Sequence, residues 1–225
     1  MSPDIKTIRL LLPYRMGSVN CYLIDTGAGF ILIDTGSSNT RSHLEIELEN
    51  AGCKPGRLKL IVITHGDFDH TGNTAYLRTK FGGKIAMHQD DSGMAERGDM
   101  FWNRQKGNLL IRRIAPVLFR FNDSDRFKPD LSIEEGYDLS EFGFAATVLS
   151  IPGHSRGSIG ILTSDGELFC GDLLDNTKKP ALNSIMDDPA TAHASVEKLK
   201  KLKINTIFPG HGEPFPMEAF LQNYT

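Results

Sequence analysis

The sequence predicts an α+β fold in which two mixed β-sheets pack face to face and helices cover their outer surfaces. Strands and then a helix follow one another in both halves of the chain, and such elements are usually buried as layered sheets with helices outside. The run Leu58–Thr64 is apolar and β-branched, which favours a buried central strand. The composition, 40% hydrophobic and 24% charged, is sufficient for a core without disulfides or a structural metal.

The first half alternates strands with helices. Gly52 ends the first predicted helix and Gly82 ends the second, because glycine readily adopts the conformation that closes a helix. The predicted strands are Ile5–Leu12, Asn20–Asp25, Gly29–Asp34, Leu58–Thr64 and Lys84–His88, and the predicted helices are Ser38–Ala51 and Thr71–Phe81.

The middle of the chain, about residues 89–130, breaks this rhythm and is predicted to be a helical insertion. It holds the single tryptophan, Trp102, and an apolar-basic stretch that Pro116 divides into two short helices. The insertion either packs on the main core or covers an active site as a lid, and both interpretations stay open. Its apolar side chains favour an acyl or aromatic group on a substrate: Trp102, Leu109, Leu110, Ile114, Leu118 and Phe119.

The second half returns to strands and closes with one helix and one strand. No linker and no short-period repeat divides the chain, so a single domain over residues 1–225 is predicted. The predicted strands are Ser132–Asp138, Ala145–Ile151, Ser158–Thr163, Glu167–Gly171 and Thr206–Pro209, and the predicted helix is about Thr191–Leu202.

Charge and cysteine content restrict the partners that we expect. A net charge of -3 and a pI near 6.2 argue against a nucleic-acid-binding surface, which usually needs a basic patch. Three widely spaced cysteines form neither a disulfide framework nor a CxxC zinc site, and a reducing, cytoplasmic compartment follows. The N-terminus is neither a signal peptide nor a membrane span. A small-molecule substrate is therefore expected, without nucleic acid or membrane, and a homodimer stays open.

Metal-binding side chains are concentrated directly after the Leu58–Thr64 strand. Four of the six residues from His65 to His70 can bind a metal, and a loop at the end of a buried strand is held rigidly enough to present them. Alternation directs His65 and Asp67 one way, and the following turn directs Asp69 and His70 elsewhere. One short loop would thus serve two neighbouring ions. The alternative is an ordinary polar loop in which Asp69 caps the next helix.

Three later turns strengthen the prediction of a metal site. His154, Asp172 and His211 each follow a predicted strand in a turn that contains glycine. Gly and Pro are common in loops of every kind, so one such turn alone would indicate little. Three of them, each with a histidine or an aspartate after a strand, indicate a shared centre together with the His65–His70 loop.

At these motifs the sequence resembles the metallo-β-lactamase superfamily over nearly its whole length. The matching segments are Ile33-Asp34-Thr35-Gly36, Thr64-His65-Gly66-Asp67-Phe68-Asp69-His70-Thr71-Gly72, Pro152-Gly153-His154-Ser155, Gly171-Asp172 and Pro209-Gly210-His211-Gly212. The resemblance implies an αββα sandwich with a dinuclear metal site along one edge. It implies a first metal on His65, Asp67 and His154, a second on Asp69, His70 and His211, a bridging Asp172, and Asp34 as the carboxylate that orients the ligands.

Asp67 departs from the usual family loop, His-x-His-x-Asp-His, in which this position is a second histidine. Two divalent ions, three ligand carboxylates and a bridging hydroxide make the site neutral, whereas a histidine would leave it with one positive charge. A less positive, oxygen-rich centre acidifies bound water less and favours harder ions. Two divalent ions are expected, with zinc as the first choice and manganese or iron as alternatives. A half-occupied site is the other interpretation of Asp67.

The resulting hypothesis is metal-dependent hydrolysis of a small ester, lactone, thioester or phosphoester. A bridging hydroxide attacks the substrate while one metal polarises its oxygen, and Asp69 serves as the catalytic group that steers a proton. Glyoxalase II-like chemistry is less favoured, because only 14 residues follow His211, too few for that enzyme's helical C-terminal domain. Two rival hypotheses are an iron-dependent oxidoreductase of the persulfide dioxygenase type and a non-catalytic metal-binding module.

Overall fold

Two β-sheets form the centre of the computed structural model, which describes residues 4–104 and 122–224. The first sheet has the order β1-β2-β3-β4-β5-β6, antiparallel for β1 to β3 and parallel from β3 to β6. Its parallel part includes the apolar run β4, in agreement with the predicted buried central strand. Its strands are β1 Asp4–Leu11, β2 Ser18–Asp25, β3 Phe30–Ile33, β4 Leu58–Ile63, β5 Lys84–Met87 and β6 Leu131–Ser132.

The second sheet contains the strands of the second half, with the order β13-β12-β9-β8-β7. The pairs β7·β8 and β8·β9 are antiparallel, whereas β9 and β12 are parallel. Strands β7, β9 and β12 therefore run in the same direction. The bounds are β7 Ala146–Ser150, β8 Ile159–Thr163, β9 Glu167–Gly171, β12 Thr206–Pro209 and β13 Phe215–Pro216, and a separate pair consists of β10 Leu174–Asp175 and β11 Ala181–Leu182.

Six α-helices lie among the described residues. The fifth begins one residue after Asp188, whose carboxylate accepts the backbone N–H groups of Ala190 and Thr191, and it has a proline at its first position. None of the described helices is both long and apolar enough to cross a membrane. The helices are α1 Arg41–Asn50, α2 Phe68–Thr71, α3 Thr74–Phe81, α4 Gln89–Arg97, α5 Pro189–Leu199 and α6 Met217–Leu221.

Three apolar clusters show how these elements are layered. One cluster joins alternate residues of β2 to β5 to residues of β7, β8 and β9, such as Ile31 and Ile161, and so lies between the two sheets. A second packs the other face of the first sheet on α1 and α3 through Leu44 and Phe81. A third packs the second sheet on α5 and α6 through Val196 and Phe220. The order helix–sheet–sheet–helix confirms the predicted fold class.

Most elements lie where the sequence predicts them, and two differ in kind. Of the predicted strand Ser132–Asp138 only Ser132 lies in β6, because Gly136 has φ +83° and the chain turns, with the Tyr137 N–H donating to the Glu134 carbonyl. The predicted helix Thr71–Phe81 begins at Thr74 as α3, and residues 72–73 separate it from α2, which ends at Thr71. In the insertion, α4 is helical as predicted, while the interpretations of Leu109, Leu110, Ile114, Pro116, Leu118 and Phe119 lie outside the described residues.

Candidate metal centre

The strand directions explain why distant parts of the chain meet at one edge of the sandwich. Strands β3 and β4 are parallel neighbours, so Asp34 and the His65–His70 loop both leave the first sheet at the same edge. Strands β7, β9 and β12 share a direction, so His154, Asp172 and His211 follow their ends on the second sheet. Side chains after parallel strand ends converge, and this edge becomes a site formed by both sheets.

The loop after β4 separates its ligands through a change of backbone conformation. Asp67 is extended, with φ -75° and ψ 151°, and precedes the four-residue helix α2, which contains Asp69 and His70. The backbone N–H groups of His70 and Thr71 donate to the carbonyl of Asp67 at 3.0 and 3.1 Å. No side chain caps α2 or α3. The loop's carboxylates are therefore free to face the centre, and Asp69 does not act as a helix cap.

Two groups of side chains each bring ligand atoms within 4.8 Å of one another: His65, His154 and Asp172, and then Asp69, His70 and His211. We call them the first group and the second group. The rings of His65 and His70 are 4.1 Å apart between centroids, so the two groups are adjacent. The second group coincides with the ligand set that the sequence predicts for the second metal.

Asp172 lies between the groups. Its Oδ1 is 3.3 Å from His70 Nε2, and its Oδ2 is 3.2 Å from His211 Nε2 and 4.0 Å from His154 Nε2. Asp67 borders the first group, with Oδ2 at 3.1 Å from His154 Nε2 and 3.8 Å from His65 Nε2. All seven predicted ligands are thus gathered in one place.

Each histidine is oriented so that its Nε2 faces the centre. The Nδ1–H of His70 donates to Asp34 at 2.8 Å, that of His154 to the Ile185 carbonyl at 2.7 Å, and that of His211 to the Ser18 carbonyl at 2.7 Å. A histidine anchored by one ring nitrogen is held in the tautomer that presents the other as a metal ligand.

His65 is held indirectly by the same carboxylate that anchors His70. The Thr64 hydroxyl donates to Asp34 Oδ2 at 2.8 Å, so its oxygen accepts the Nδ1–H of His65 at 3.0 Å. The Thr64 N–H also donates to Asp34 Oδ1 at 2.8 Å. Asp34 therefore orients one histidine of each group, which is the place that the resemblance implies for it.

Among the described residues, three buried ligand atoms at the centre make no hydrogen bond: His65 Nε2, His70 Nε2 and Asp172 Oδ1. The last two lie 3.3 Å apart but do not form a hydrogen bond with each other. A buried polar atom without a partner costs about 1–3 kcal/mol, so native proteins rarely leave one in this state. Imidazole nitrogens and carboxylate oxygens are the donors that divalent cations accept. The residues therefore fit a pair of divalent ions.

The electrostatics of the metal-free centre differ between its members. Burial lowers the pKa of His65 well below its ordinary value, so this ring is neutral. Burial opposes charge on His211 as well, but the carboxylate of Asp172 raises its pKa to about 9. Burial also raises the pKa of Asp69. Cations entering the second group must therefore displace protons.

Two residues of the centre were not predicted from the sequence, Arg104 and Asp91. Arg104 donates to Asp67 Oδ1 at 2.6 Å and lies outside every recognised motif. Asp91, in the first turn of α4, accepts the N–H of Gly66 at 3.0 Å and the hydroxyl of Ser155 at 2.6 Å, so it ties the first ligand loop to the loop of His154. The pair Asp90-Asp91 after the predicted strand Lys84–His88 was the one signal that indicated Asp91.

The loop of His211 is held against the first sheet at close range. The Asn20 N–H donates to the Gly210 carbonyl at 2.8 Å, and its side chain donates to the carbonyls of Pro209 and Gly212. A Cβ at Gly210 would overlap Asp172 Oδ1 and the His70 ring. Glycine at this position is therefore required for His211 and Asp172 to approach one another.

A cavity of 170 Å³ adjoins the first group. Its lining includes the residues on either side of His154, together with the half-buried Asp187. The lining residues are Asn103, Pro152, Gly153, Ser155, Arg156, Asp187, Asp188 and Thr191.

Comparison with known proteins gives one family. Residues 14–211 match the family described as the metallo-beta-lactamase superfamily. The crystal structure of TTHA1623 in a di-iron-bound form superposes with a TM-score of 0.73 at 26% identity, covering 96% of this chain and 97% of that one.

Two relatives have names that state a substrate. An acyl-coenzyme A thioesterase of Bos taurus is 28% identical over 92% of this chain and 74% of its own length. A hydroxyacylglutathione hydrolase of Haemophilus influenzae is 28% identical over 90% of this chain and 89% of its own length. The chain spans 58% of a further relative, a beta-lactamase-like protein 2 homolog of Caenorhabditis elegans, at 23% identity.

Proposed function

Because the chain belongs to the metallo-beta-lactamase superfamily, we propose that it is a hydrolase that uses two divalent cations to cleave a small acyl ester or thioester. The observation that carries the proposal is a set of buried ligand atoms that make no hydrogen bond among the described residues: His65 Nε2, His70 Nε2 and Asp172 Oδ1. These atoms approach the centre from both sheets. The rings of His70, His154 and His211 donate to Asp34 and to backbone carbonyls and are held in place by these bonds, so the arrangement of the histidines does not depend on an ion.

The chain's own residues divide the work of the site. His65, Asp67 and His154 would hold one ion, Asp69, His70 and His211 the other, and Asp172 both. When bound, two such ions supply a hydroxide nucleophile at neutral pH and polarise the carbonyl oxygen of the substrate. No side chain is then required as a nucleophile.

Asp69 is the candidate for proton transfer. It is buried, its Oδ2 is 3.5 Å from His211 Nε2, and burial raises its pKa, which is the direction that a carboxyl group needs in order to carry a proton near neutral pH. In this position it can steer the proton of the nucleophile or pass one to the leaving group. A thiolate leaves more readily than an amine, so the need to protonate the leaving group is smallest for a thioester.

The substrate class is supported by the relatives and by the cavity beside His154. The two relatives described above have names that state acyl thioester substrates, and the second of them matches over 89% of its length. The small number of residues after His211 is therefore no argument against this class. A cavity of 170 Å³ suits a small group rather than a long chain. The buried free cysteines Cys21, Cys53 and Cys170 support a reducing, cytoplasmic setting.

Metal identity is the first measurement that we propose. The protein is purified without chelators, its metal content is determined, and portions are stripped and reloaded with zinc, manganese or iron. Each form is assayed on acyl-coenzyme A and acylglutathione thioesters, on lactones and on phosphodiesters. Two ions per chain, with thioester hydrolysis that disappears on stripping and returns on reloading, are the expected result.

Two other results would contradict the proposal. Hydrolysis that persists after complete stripping would remove the metal from the mechanism. One iron per chain, with oxygen consumption on a persulfide and no hydrolysis, would support the oxidoreductase instead. The di-iron form of TTHA1623 makes iron a metal that must be included in the test.

A further inference from the structure

Arg104 forms a buried ion pair with Asp67, one of the candidate ligands. Its guanidinium donates to Asp67 Oδ1 at 2.6 Å, and the exposed fractions of the two residues are 8% and 6%. A second contact at 3.5 Å joins the same nitrogen to His154 Nε2. A charge-assisted bond between buried groups is strong and costly to break, so Arg104 is a fixed positive charge at the edge of the first group.

The pair leaves the carboxylate of Asp67 with one oxygen for a cation. Oδ1 is occupied by Arg104, whereas Oδ2 lies 3.1 Å from His154 Nε2 and 3.8 Å from His65 Nε2. Asp67 is thus directed to bind a cation through Oδ2 alone.

The second group has no such neighbour. Within residues 4–104 and 122–224, no lysine or arginine forms an ion pair with Asp69 or Asp172. Asp187 contacts the far side of Arg104, with Oδ2 at 3.2 Å from Nε, but its side chain is 22% exposed and its charge is more strongly screened by water. Asp187 and the buried Asp91 offset part of the positive charge of Arg104, which is nevertheless the basic side chain that the described residues place against a ligand of the first group.

We infer that Arg104 is a positioning residue that sets the affinity of the first group below that of the second. It caps one oxygen of Asp67, and its charge offsets that of the carboxylate, so the pair acts on a cation as a single neutral ligand would. The inference rests on the proposed dinuclear centre. It predicts that the two ions bind unequally, with the second group filled first.

The test is titration of the stripped protein with zinc alone, followed by calorimetry. The wild type is expected to bind two zinc ions with separable affinities. Arg104→Gln removes the repulsion and should tighten the weaker site by about tenfold or more, since a unit charge near a divalent ion interacts strongly at an effective dielectric constant near 20. Arg104→Lys retains the positive charge and should keep the wild-type difference in zinc affinity between the two sites. Asp187→Asn removes a partner of Arg104 and should weaken the site by a few-fold.

A paired exchange keeps the inference testable if Arg104→Gln folds poorly around an unpaired Asp67. Asp67→His alone leaves the guanidinium without its carboxylate and should weaken the first site by about tenfold or more. Asp67→His combined with Arg104→Gln restores the charge and should return the affinity to within a few-fold of wild type. Arg41→Gln is the matched control, because Arg41 pairs with the buried Asp125 outside the centre and should leave both affinities unchanged.

The outcomes separate this inference from the proposed function. Unchanged or weaker zinc binding in Arg104→Gln would overturn the role of Arg104. An equal zinc affinity of Asp67→His alone and of Asp67→His combined with Arg104→Gln would also overturn it. Two zinc ions with the expected shifts but no hydrolysis of any substrate would overturn the proposed function and leave Arg104 in place. A wild type that binds a single ion would contradict both.

Discussion

The two groups of the metal centre have the same kinds of ligand but different surroundings. The second group combines Asp69 and His70 from the loop after β4 with His211 after β12, and carboxylates are the charged neighbours of its histidines. The first group lies beside Arg104 and a cavity. A motif therefore identifies the ligands of a site, whereas the neighbours of those ligands set the charge of the site.

The largest effect is expected for the residue that both groups share. Asp172→Ala removes a carboxylate that contacts His70, His154 and His211, so both ions should be lost or weakly held and hydrolysis should fall by at least about a hundredfold. Metal content and turnover are measured on the same preparation. Asp165→Ala, at an exposed turn after β8, is the matched control. Hydrolysis that survives in Asp172→Ala would show that the two groups do not act together.

Removing one histidine from each group should separate them. His211→Ala is expected to abolish one of two zinc-binding events and His65→Ala the other, because each residue belongs to one group only. Each change should lower turnover by about a hundredfold, since a lost ligand costs more than a lost outer partner. Calorimetry with zinc assigns the events. If either variant loses both ions, the groups are not independent binding sites.

A smaller and unequal effect is expected for Asp34→Asn. Asp34 accepts directly from His70 but reaches His65 only through Thr64, so zinc binding should weaken by about ten- to a hundredfold in the second group and less in the first. Zinc titration of the variant measures both affinities. Asp25→Asn, at the exposed end of β2, should leave them unchanged. Equal losses would mean that Asp34 stabilises the loop rather than orienting His70.

The smallest effect concerns pH. In the second group the pKa values of His70 and His211 are both raised, that of His211 to about 9, whereas in the first group the pKa of His154 is raised and that of His65 is lowered. Raised values mean protonated rings at neutral pH, so a cation must displace these protons and its affinity falls as pH falls. The second group should therefore lose zinc affinity more steeply than the first between pH 9 and 6, by about tenfold per unit for each proton displaced. Calorimetry in buffers of different ionisation enthalpy counts the protons, and equal release from both groups would contradict the prediction.

The sequence predicted much of the fold because the periodicity of apolar residues, and the glycines and prolines that end elements, are local signals. The apolar, β-branched run Leu58–Thr64 favoured a buried strand and forms β4, and the predicted bounds of Thr206–Pro209 agree with β12. The prediction of a strand over Ser132–Asp138 was wrong because the turn at Gly136 outweighed the extended propensity of its neighbours. The two-residue strands β10 and β11 pair with each other across a short loop, and two residues are too few to show a period in the sequence.

The residues of the site also divide into those that a local sequence signal indicates and those that it does not. His65, His154 and His211 carry recognisable turns after strands, so their convergence could be predicted from topology. Arg104 has no motif, and it acts only because residues far apart in sequence bring it beside Asp67. Long-range charge pairing is a property of the folded arrangement, which is why the neutral charge count obtained from the ligands omitted its positive charge.

The bonds from Asn20 to the loop of His211 have a consequence for how the protein is made. The ligands His65 to His70 are synthesised about 140 residues before His211, an interval of roughly 7 to 28 s at about 5–20 residues per second. The second group is completed only when β12 docks beside β9 and its loop reaches Asn20. Assembly of that group is thus a late event in biosynthesis, and until His211 emerges the nascent chain can present only Asp69 and His70 of its three members.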